Sequence, residues 1–505
     1  MNIARLLEAQ SQKYPLKPAI IFRDQAINLA QLKDNAFKFA DSLLKLGIKK
    51  QDKVVIYLPN WPEYIYSYLA IWSIGAVAVP LDFMLTEEEI ISCVSHSEAK
   101  AIIAKPKPQV SPAKIKAQCP SLKHIILSQE ETKQYLSFEE LINSGTTNIP
   151  KEEINNKDCA AIFYTSGTTG KPKGVLTNYL QIEAPAKAMS YFVDLDDKDT
   201  ALCVLPLSHL GGLVFVQAIV YLGTAVVLMD RFVPPEFLRN VQRFKATCFW
   251  LVPPMYYAIL QLKEFESFDL SSLRFICVFG APSSIEQIKR FHKYCPNAKL
   301  YHGWGMTETQ GPTIVTPGNS NKMESVGRPL PWIEVKIFSA EGAGEEELPQ
   351  GRIGEIVVRG WQVSNGYYKD PQLTQETIRN GWFHTGDLGK FDADGDLYIV
   401  GRKKEMIKVG GEIVFEPEVE SAIHKHPDIA EVVVVGAPDK LRGEVPKAYV
   451  VLREGKSLTT ESLRYFCREH LAHFKIPHYF EFVDSLPKTR TGKVDKEKLR
   501  GVLHT

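Results

Sequence analysis

Several features that mark specialised classes of protein are missing from this 505-residue sequence. Its net charge is +1, so the composition gives no indication of a nucleic-acid-binding protein. The eight cysteines include no CxxC pair and stand mostly in apolar runs, which favours reduced core residues in a cytoplasmic protein over a disulfide framework or a zinc site. The N-terminal segment has no apolar stretch of the kind that a signal peptide contains.

Long hydrophobic runs are also scarce. Residues 213–229 carry no charge, but this stretch is at the lower limit of length for a membrane span, and Gly223 interrupts it. We expect a buried helix up to Tyr221, a turn at Gly223 and a strand over 224–228 instead. Peripheral contact with the inner face of the membrane stays open.

Short apolar runs alternate with helix-period segments over roughly the first three fifths of the chain. Helices are predicted near 62–73 and 86–96. The strand-like runs are 54–59, 76–81, 101–104, 159–164, 201–206, 225–229, 246–252 and 275–280. This alternation is typical of parallel sheets with helices on both faces, in which ligands bind beyond the carboxyl ends of the strands.

The pattern changes twice in the later part of the chain. Residues 310–400 are rich in glycine, proline and short strands, which predicts a small β subdomain. The charged, glycine-rich segment 401–412 is typical of an interdomain hinge. An α+β unit follows, with predicted elements in the order helix 416–425, strand 431–436, strand 447–452, helix 460–471 and strand 479–483.

The predicted fold class is therefore α/β. A large N-terminal domain, residues 1–401, contains two doubly wound, mostly parallel sheets and the β subdomain. A small mobile α+β domain, residues 402–505, completes the chain.

Residues 164–175 read YTSGTTGKPKGV and form the densest motif in the chain. Glycines allow the backbone to approach a ligand closely, and successive N–H groups, hydroxyls and the two lysines suit a triphosphate. The segment differs from the common P-loop because Pro172 follows Lys171. A strand-like run precedes it and a helix-capable segment follows Thr177. The alternative interpretation is a flexible polar surface loop.

Three further motifs carry chemistry suited to a nucleotide. In YHGWGMTETQG (301–311), Trp304 can stack on a purine and Glu308 can hold Mg²⁺. Asp387, at the end of the strand-like WFHTGD, can accept from ribose hydroxyls with Arg402 nearby. Lys493, in the basic segment 487–500, can neutralise charge that develops during attack at phosphorus. Taken singly, these residues also fit a core Trp, a surface Glu, a turn Asp and a solvated basic tail.

Five motifs resemble, in their order along the chain, the signatures of the adenylate-forming superfamily, which includes acyl- and aryl-CoA synthetases. They are YTSGTTGKPKG, GWGMTE, FHTGD, GRKKEMIK and PKTRTGK. The resemblance covers nearly the whole chain. It implies that a carboxylate attacks the α-phosphorus of Mg·ATP to give an acyl-adenylate and pyrophosphate, after which the thiol of CoA displaces AMP. The implied cofactors are ATP, Mg²⁺ and CoA.

The resemblance also assigns residues to the nucleotide. The implied phosphate loop comprises Thr165, Ser166, Gly167, Thr168, Thr169, Gly170, Lys171 and Lys173. The implied adenine-binding residues are Gly280, Ala281, Pro282 and Trp304, and Gly303, Gly305 and Met306 are further implied cofactor-binding residues. Thr307 would contact the α-phosphate, Glu308 would bind Mg²⁺, and Asp387 with Arg402 would bind the ribose.

The small domain would supply the residues that change between the two half-reactions. Lys493 matches the lysine that bridges the carboxylate and ATP, and Lys404 matches the hinge. Lys408, Gly410 and Gly411 would lie on the face presented for thioester formation. Ile413 stands where many members have Asn or Gln, so no side-chain amide contact is expected there.

The substrate is the least constrained part of the prediction. Residues 205–215 contain no acid to bind an ammonium group, and a pocket lined by His209, Leu213, Val214, Ala281, Gly303 and Trp304 would suit an uncharged chain or ring. A medium- or long-chain fatty acid is preferred, and an aryl or cinnamate-type acid is the alternative. A separate acyl carrier protein as acceptor, a luciferase-like oxidation and a sensor without catalysis are further alternatives. Nothing in the sequence indicates the oligomeric state.

Overall fold

The computed structural model describes residues 2–129, 134–148, 150, 152–165, 173–280, 285–340, 346–410, 412–488 and 494–501. The strands are β1 (Pro18–Phe22), β2 (Gln25–Asn28), β3 (Lys53–Tyr57), β4 (Val77–Pro80), β5 (Ala101–Ala104), β6 (His124–Leu127), β7 (Leu136–Ser137), β8 (Cys159–Thr165), β9 (Lys173–Asn178), β10 (Thr200–Cys203), β11 (Ala225–Leu228), β12 (Cys248–Leu251), β13 (Phe275–Val278), β14 (Lys299–Met306), β15 (Gly311–Val315), β16 (Arg328–Pro329), β17 (Ile333–Phe338), β18 (Gly354–Gly360), β19 (Ile378–Arg379), β20 (Trp382–Phe391), β21 (Leu397–Arg402), β22 (Met406–Val409), β23 (Glu412–Phe415), β24 (Ile429–Asp439), β25 (Gly443–Leu452) and β26 (Tyr479–Phe482).

The α-helices are α1 (Ile3–Lys13), α2 (Leu29–Lys45), α3 (Pro62–Ser73), α4 (Glu87–Ser97), α5 (Pro112–Gln118), α6 (Phe138–Ser144), α7 (Ala184–Val193), α8 (Leu210–Gln217), α9 (Pro234–Phe244), α10 (Pro253–Leu260), α11 (Ile285–His292), α12 (Pro371–Thr377), α13 (Glu416–His424), α14 (Thr460–His470) and α15 (Lys496–Gly501). The predicted helices near 62–73 and 86–96 are α3 and α4. Proline at the first turn starts α3, and the capping box of Thr86 and Glu89 starts α4.

A seven-stranded sheet has the order β7-β6-β5-β3-β4-β8-β9. Its strands pair in parallel from β7 to β8, as predicted, and only the β8–β9 edge is antiparallel. The sequence did not predict β9, because its KGVLTN pattern lacks a clear two-residue alternation. The expected helix comes later, as α7, after a 3-10 turn over Gln181–Glu183.

A nine-stranded sheet has the order β16-β15-β14-β13-β12-β10-β11-β1-β2. The pairs from β1 through β14 are parallel, and the two edges are antiparallel hairpins. Two mostly parallel sheets with intervening helices confirm the predicted α/β fold class.

The chain divides into two compact units, Met1–Glu334 with Arg359–Phe383 and Val335–Val358 with His384–Thr505. The two large sheets lie in the first unit. A five-stranded sheet has the order β17-β18-β20-β19, with β21 paired to β20, so short strands do occupy the predicted β-rich region. The sequence pattern ended a strand at Asp387, whereas β20 continues to Phe391. The domain border between residues 401 and 402 stays a prediction.

The C-terminal part of the second unit forms a sheet of order β23-β22-β25-β24, with β26 paired to β25. Helices α13 and α14 and strands β24, β25 and β26 confirm the predicted order of elements. The β22–β23 hairpin was not predicted, since the sequence of residues 401–412 indicated only a hinge.

The uncharged stretch 213–229 is folded as the sequence pattern indicated. Helix α8 continues into a π-helical turn at Ala218–Leu222, Gly223 takes a left-handed conformation with φ +71°, and β11 follows. Among the described residues, no helix combines the length and apolarity needed to cross a membrane. All eight cysteines are free thiols, and seven of them are buried.

The core beneath the nine-stranded sheet is aromatic and centred on Phe249 of β12, which is 0% exposed. Its ring lies 5.0 Å from that of Phe237, 6.1 Å from Phe291 and 6.2 Å from Tyr256, measured between centroids. Because these three rings belong to α9, α10 and α11, the side chain of Phe249 joins three helices to the sheet.

We expect Phe249→Ala to lower the free energy of unfolding by about 3–5 kcal/mol, since the substitution removes buried apolar area and leaves a cavity. The midpoint of thermal unfolding measures the effect. Tyr257→Ala, at a position 49% exposed on α10, is the control and should change the midpoint little. Equal losses for the two variants would contradict the central packing role of Phe249.

Candidate active site

The predicted phosphate loop connects two antiparallel strands. Thr165 ends β8 and lies opposite Lys173, the first residue of β9. The residues between them fall outside the described ranges, so the assignments of Ser166, Gly167, Thr168, Thr169, Gly170 and Lys171 stay predictions. The pairing brings the two ends of the loop together at the edge of the seven-stranded sheet.

On strand β14, Trp304 stands between Gly303 and Gly305, and the close approach of the neighbouring strand β15 requires glycine at both positions. A Cβ added to Gly303 would lie 2.3 Å from the carbonyl oxygen of Ile314, and one added to Gly305 would lie 2.0 Å from that of Gly311. These contacts are far shorter than any Cβ accepts, so glycine is needed for β15 to approach. Trp304 itself is half-buried and lies opposite Ile314 in the register.

The end of β13 is the other predicted adenine segment. Gly280 has φ +91°, a left-handed conformation that glycine adopts without strain. Because β13 pairs in parallel with β14, Gly280 follows the same edge of the sheet as Trp304. Ala281 and Pro282 lie beyond the described residues at this point.

Glu308 is held in a 3-10 turn, Thr307–Thr309, that directly follows β14. The hydroxyl of Tyr367 donates to Oε1 of Glu308 at 3.0 Å, and the N–H of Ser364 donates to the Glu308 carbonyl at 2.7 Å. Burial, together with the charge of Glu308, raises the pKa of Tyr367, so the phenol stays a donor. The turn is thus fixed by a segment that is distant in sequence.

The segment that contains Ser364 and Tyr367 also pairs with β9, the strand that follows the predicted phosphate loop. The N–H of Tyr368 donates to the carbonyl of Gly174 at 2.7 Å, and the N–H of Leu176 donates to the carbonyl of Gly366 at 3.0 Å. The hydroxyl of Ser364 donates to the carbonyl of Leu176 at 2.7 Å. We call residues 362–368 the bridging segment.

A direct bond completes the connection between the hairpin and the turn. The hydroxyl of Thr177, on β9, donates to Oε1 of Gln310 at 2.9 Å, and both side chains are buried. Gln362 in turn donates to the carbonyl of Thr309 at 2.8 Å. Strand β9, which follows the predicted phosphate loop, and the turn that carries Glu308 therefore belong to one hydrogen-bonded structure in the first unit.

This turn fits a magnesium ion. Glu308 offers a carboxylate whose orientation is set by Tyr367, and the neighbouring Thr307 offers a hydroxyl. Mg²⁺ prefers hard oxygen ligands and usually takes one or two carboxylates together with phosphate oxygens and water. The site would therefore hold the ion beside a phosphate chain.

His209 pairs with an acid that the sequence analysis missed. Its Nε2 lies 3.0 Å from Oδ2 of Asp82, which follows β4. Burial tends to raise the pKa of Asp82, but the bonds from His209 and from the N–H of Met84 outweigh it and hold the pKa below its ordinary value. Nothing in the local sequence joins positions 82 and 209, since they come from different sheets.

Of the other predicted pocket residues, Gly303 and Trp304 are half-buried, Ala281 lies outside the described residues, and two are in the core. Leu213 and Val214 on α8 are 1% and 4% exposed. His209 occupies the N-cap position of this helix, so the helix start and the hydrogen bond with Asp82 lie together. The assignment of these residues to an acyl pocket stays a prediction.

In the second unit, Asp387 and Arg402 come together as predicted. They are register partners on β20 and β21, and Nε of Arg402 lies 2.9 Å from Oδ1 of Asp387. Asp387 is 5% exposed, whereas the Arg402 side chain is half-exposed. A buried carboxylate beside an accessible guanidinium suits a ligand with hydroxyl groups.

The remaining predicted residues of the second unit lie around the β22–β23 hairpin. Lys404 has its Nζ 3.9 Å from Glu497, and the N–H of Lys408 donates to Glu444 at 3.1 Å. Gly410 has φ +59° and donates to the carbonyl of Arg442 at 2.8 Å. Gly411 and Lys493 are outside the part of the chain that the structure describes.

Two mostly parallel sheets, a phosphate-type hairpin, a carboxylate turn and an Asp–Arg pair together define a nucleotide-binding α/β enzyme. The family described as AMP-binding enzyme matches residues 7–368, and its C-terminal domain matches residues 418–493. The chain belongs to this family of adenylate-forming enzymes. It is an AMP-forming acid–thiol ligase, and its cofactors are ATP, Mg²⁺ and coenzyme A.

Known relatives cover almost the whole chain. A long-chain-fatty-acid–CoA ligase of Bacillus subtilis (strain 168) is 32% identical over 533 residues, which span 99% of this chain and 94% of the relative. The 4-coumarate–CoA ligase 1 of Petroselinum crispum is 34% identical over 478 residues, or 92% and 86% of the two chains. The structure of o-succinylbenzoate coenzyme A synthetase from Bacillus subtilis with ATP and magnesium ion has a TM-score of 0.85, 29% identity and 99% coverage of both chains.

Tyr367→Phe tests the magnesium turn. Loss of a hydrogen bond to a charged group leaves Glu308 less well oriented, and we expect the Mg²⁺ concentration for half-maximal pyrophosphate exchange to rise roughly threefold to tenfold. Tyr368→Phe is the matched control, because its hydroxyl makes only a 3.5 Å contact with the Ser97 carbonyl. An unchanged magnesium titration in Tyr367→Phe would show that the phenol does not support the ion.

Proposed function

We propose that the protein activates a medium- or long-chain fatty acid and transfers it to CoA. The observation that carries this proposal concerns the acids near His209 at the start of α8, within the residues that the structure describes. Residues 205–215 contain no carboxylate, and Asp82, the acid that approaches His209, already accepts from His209 and Met84. An amino acid would leave its ammonium group without a partner in such surroundings, whereas an apolar chain would not. The similarity to a long-chain-fatty-acid–CoA ligase supports the same choice.

In the first half-reaction, a carboxylate oxygen attacks the α-phosphorus of ATP, and the bond to the β-phosphate oxygen breaks to release pyrophosphate. Trp304 stacks on the adenine, Asp387 and Arg402 hold the ribose, and Thr307 contacts the α-phosphate. Glu308 would hold Mg²⁺, which would supply positive charge to the departing pyrophosphate together with the phosphate loop from Thr165 to Lys173. Lys493 bridges the two reactants and stabilises the transition state by position and charge.

In the second half-reaction, the small domain turns about Lys404, which withdraws Lys493. The segment with Lys408, Gly410 and Gly411 then takes its place at the site. The thiolate sulfur of CoA attacks the acyl carbon, and the bond to the AMP oxygen breaks to give the thioester. Separating the two steps protects the reactive acyl-adenylate from water.

An aryl or cinnamate-type acid is the second candidate. The 34% identity to a 4-coumarate–CoA ligase favours it as strongly as the fatty-acid relative favours the first candidate. Free CoA is the simplest thiol acceptor, and transfer to a separate acyl carrier protein is the remaining alternative. Contact with a membrane surface would fit a fatty-acid substrate.

Pyrophosphate release across a panel of acids tests the substrate class. The panel is butyrate, octanoate, palmitate, 4-coumarate and alanine. Among the three fatty acids, we expect kcat/KM to rise with chain length until the acyl pocket is filled, since each buried CH₂ contributes about 0.8 kcal/mol. Parallel assays with and without CoA measure thioester formation. Preference for 4-coumarate over every fatty acid would select the aryl alternative, and turnover of alanine would exclude both.

Lys493→Ala tests whether Lys493 acts in adenylate formation and not in thioester formation. We expect adenylate formation to slow on the order of 10²- to 10³-fold, because the lysine compensates charge only in that transition state. Conversion of a supplied acyl-adenylate by CoA should keep its rate. Lys488→Ala, which removes an exposed ion pair with Glu431, is the control. Equal losses in both half-reactions would refute the assigned role.

A further inference from the structure

A buried carboxylate that the sequence analysis did not consider lies behind the turn before Asp387. Glu355, on β18, is 3% exposed. Its Oε1 accepts from the N–H of Gly386 at 3.2 Å. Its Oε2 lies 3.1 Å from Nζ of Lys403 and 3.3 Å from Nδ1 of His384. Three groups from two other strands or their ends thus converge on one side chain.

Glu355 is ionised despite its burial. Burial alone would raise its pKa, but hydrogen bonds from His384 and Lys403, and the charge of Lys403, outweigh that effect and lower the pKa to about 2. A buried charge is tolerated only where partners satisfy it. The carboxylate and its partners therefore act as a unit, since removal of one leaves the others without compensation.

The residues bound to Glu355 are the sequence neighbours of the Asp387–Arg402 pair. His384 and Gly386 precede Asp387, and Lys403 directly follows Arg402. The turn has a further tie to β18, because the hydroxyl of Thr385 donates to the carbonyl of Ile356 at 2.7 Å. The N–H of Asp387 then donates to Oγ1 of Thr385 at 3.0 Å.

These bonds fix Asp387 and Arg402 through their sequence neighbours, Gly386 and Lys403. The backbone at Gly386 is left-handed, with φ +72°, and its N–H is aimed at Oε1 of Glu355. A shift of this turn would move the carboxylate of Asp387 relative to the guanidinium of Arg402, which are 2.9 Å apart. Glu355 itself does not need to touch the nucleotide to affect its binding.

We propose that Glu355 is a positioning residue that holds Asp387 and Arg402 in the geometry that binds the two ribose hydroxyls of ATP. The inference rests on the proposed function, because that function assigns the ribose to Asp387 and Arg402. It predicts that Glu355 controls discrimination between ATP and 2′-deoxy-ATP. A residue that only stabilised the fold would not change this discrimination.

Glu355→Gln is the test, since it keeps the shape of the side chain and an acceptor for Gly386 while removing the charge that Lys403 and His384 compensate. Steady-state pyrophosphate release with saturating acid and CoA should show a KM for ATP that is roughly tenfold higher, with kcat changed less than about twofold. The preference for ATP over 2′-deoxy-ATP, as a ratio of kcat/KM values, should fall by a similar factor. An unchanged ratio overturns the proposal.

Two further variants separate positioning from loss of stability. Glu334→Gln makes the same substitution at an exposed residue paired with Arg359, and it should leave both the KM and the ratio unchanged. Lys403→Met removes one partner but keeps the bond from Gly386, and it should give an intermediate ratio. Thermal unfolding of each variant shows whether it is folded. A fall in the ratio that simply follows the unfolding midpoint across all variants overturns the proposal.

A double-mutant cycle of Glu355→Gln with Asp387→Asn tests separately whether Asp387 binds the ribose and whether Glu355 positions Asp387. If Asp387→Asn keeps the preference for ATP, the ribose assignment in the proposed function is wrong. If Asp387→Asn loses the preference and Glu355→Gln keeps it, the ribose assignment stands and the positioning role is wrong. If both single variants lose it and the double variant is no worse than Asp387→Asn, the proposal is supported, because the two residues act through one interaction.

Discussion

The hydrogen bonds of the bridging segment, residues 362–368, hold β9 and the turn that carries Glu308 in one structure. Its backbone pairs with β9, and Gln362, Ser364 and Tyr367 bond to the turn that carries Glu308. The hairpin and the turn are associated with two different sheets, and the bond between Thr177 and Gln310 is a further link between them. A site that must compensate triphosphate charge needs its donors fixed before the substrate binds, because reorganisation during the reaction would add to the barrier.

Buried charges fix other parts of the structure in a comparable way. Asp199, 3% exposed, accepts from Thr247 at 2.7 Å and from Arg274 at 2.6 Å and joins neighbouring strands of the nine-stranded sheet. Glu416, 1% exposed, accepts from Lys496 at 2.8 Å and from Arg500 at 2.7 Å, so that α15 is held to the start of α13. Burial raises the pKa of Glu416 in spite of these partners, whereas the pKa of Glu355 is lowered to about 2. Glu416 has the closer partners of the two, so the opposite direction of its pKa shift reflects the larger cost of burying its charge and not weaker pairing.

Much of the fold followed from periodicity and composition. The parallel strands are short, apolar and separated by helices, so β3, β5 and β13 were recognisable from their residues alone. Strand β1 was not, because it joins the nine-stranded sheet beside β11, which is about two hundred residues later in the chain. The β8–β9 hairpin was missed for a related reason. Its second strand bonds to the distant bridging segment, and its own sequence pattern gives no sign of this partner.

The sequence by itself determined the family and the main alternation of strands and helices, and it indicated the residue types of the predicted nucleotide site, because glycine, lysine and carboxylate spacing in the motifs reflects local backbone and charge requirements. Only the tertiary structure decided which side chains support them. Tyr367 beside Glu308, Asp82 beside His209 and Glu355 behind Asp387 are contacts between distant segments. Such partners leave no local signal, since an ordinary tyrosine or carboxylate becomes specific only when packing removes water and brings its partner within hydrogen-bond distance.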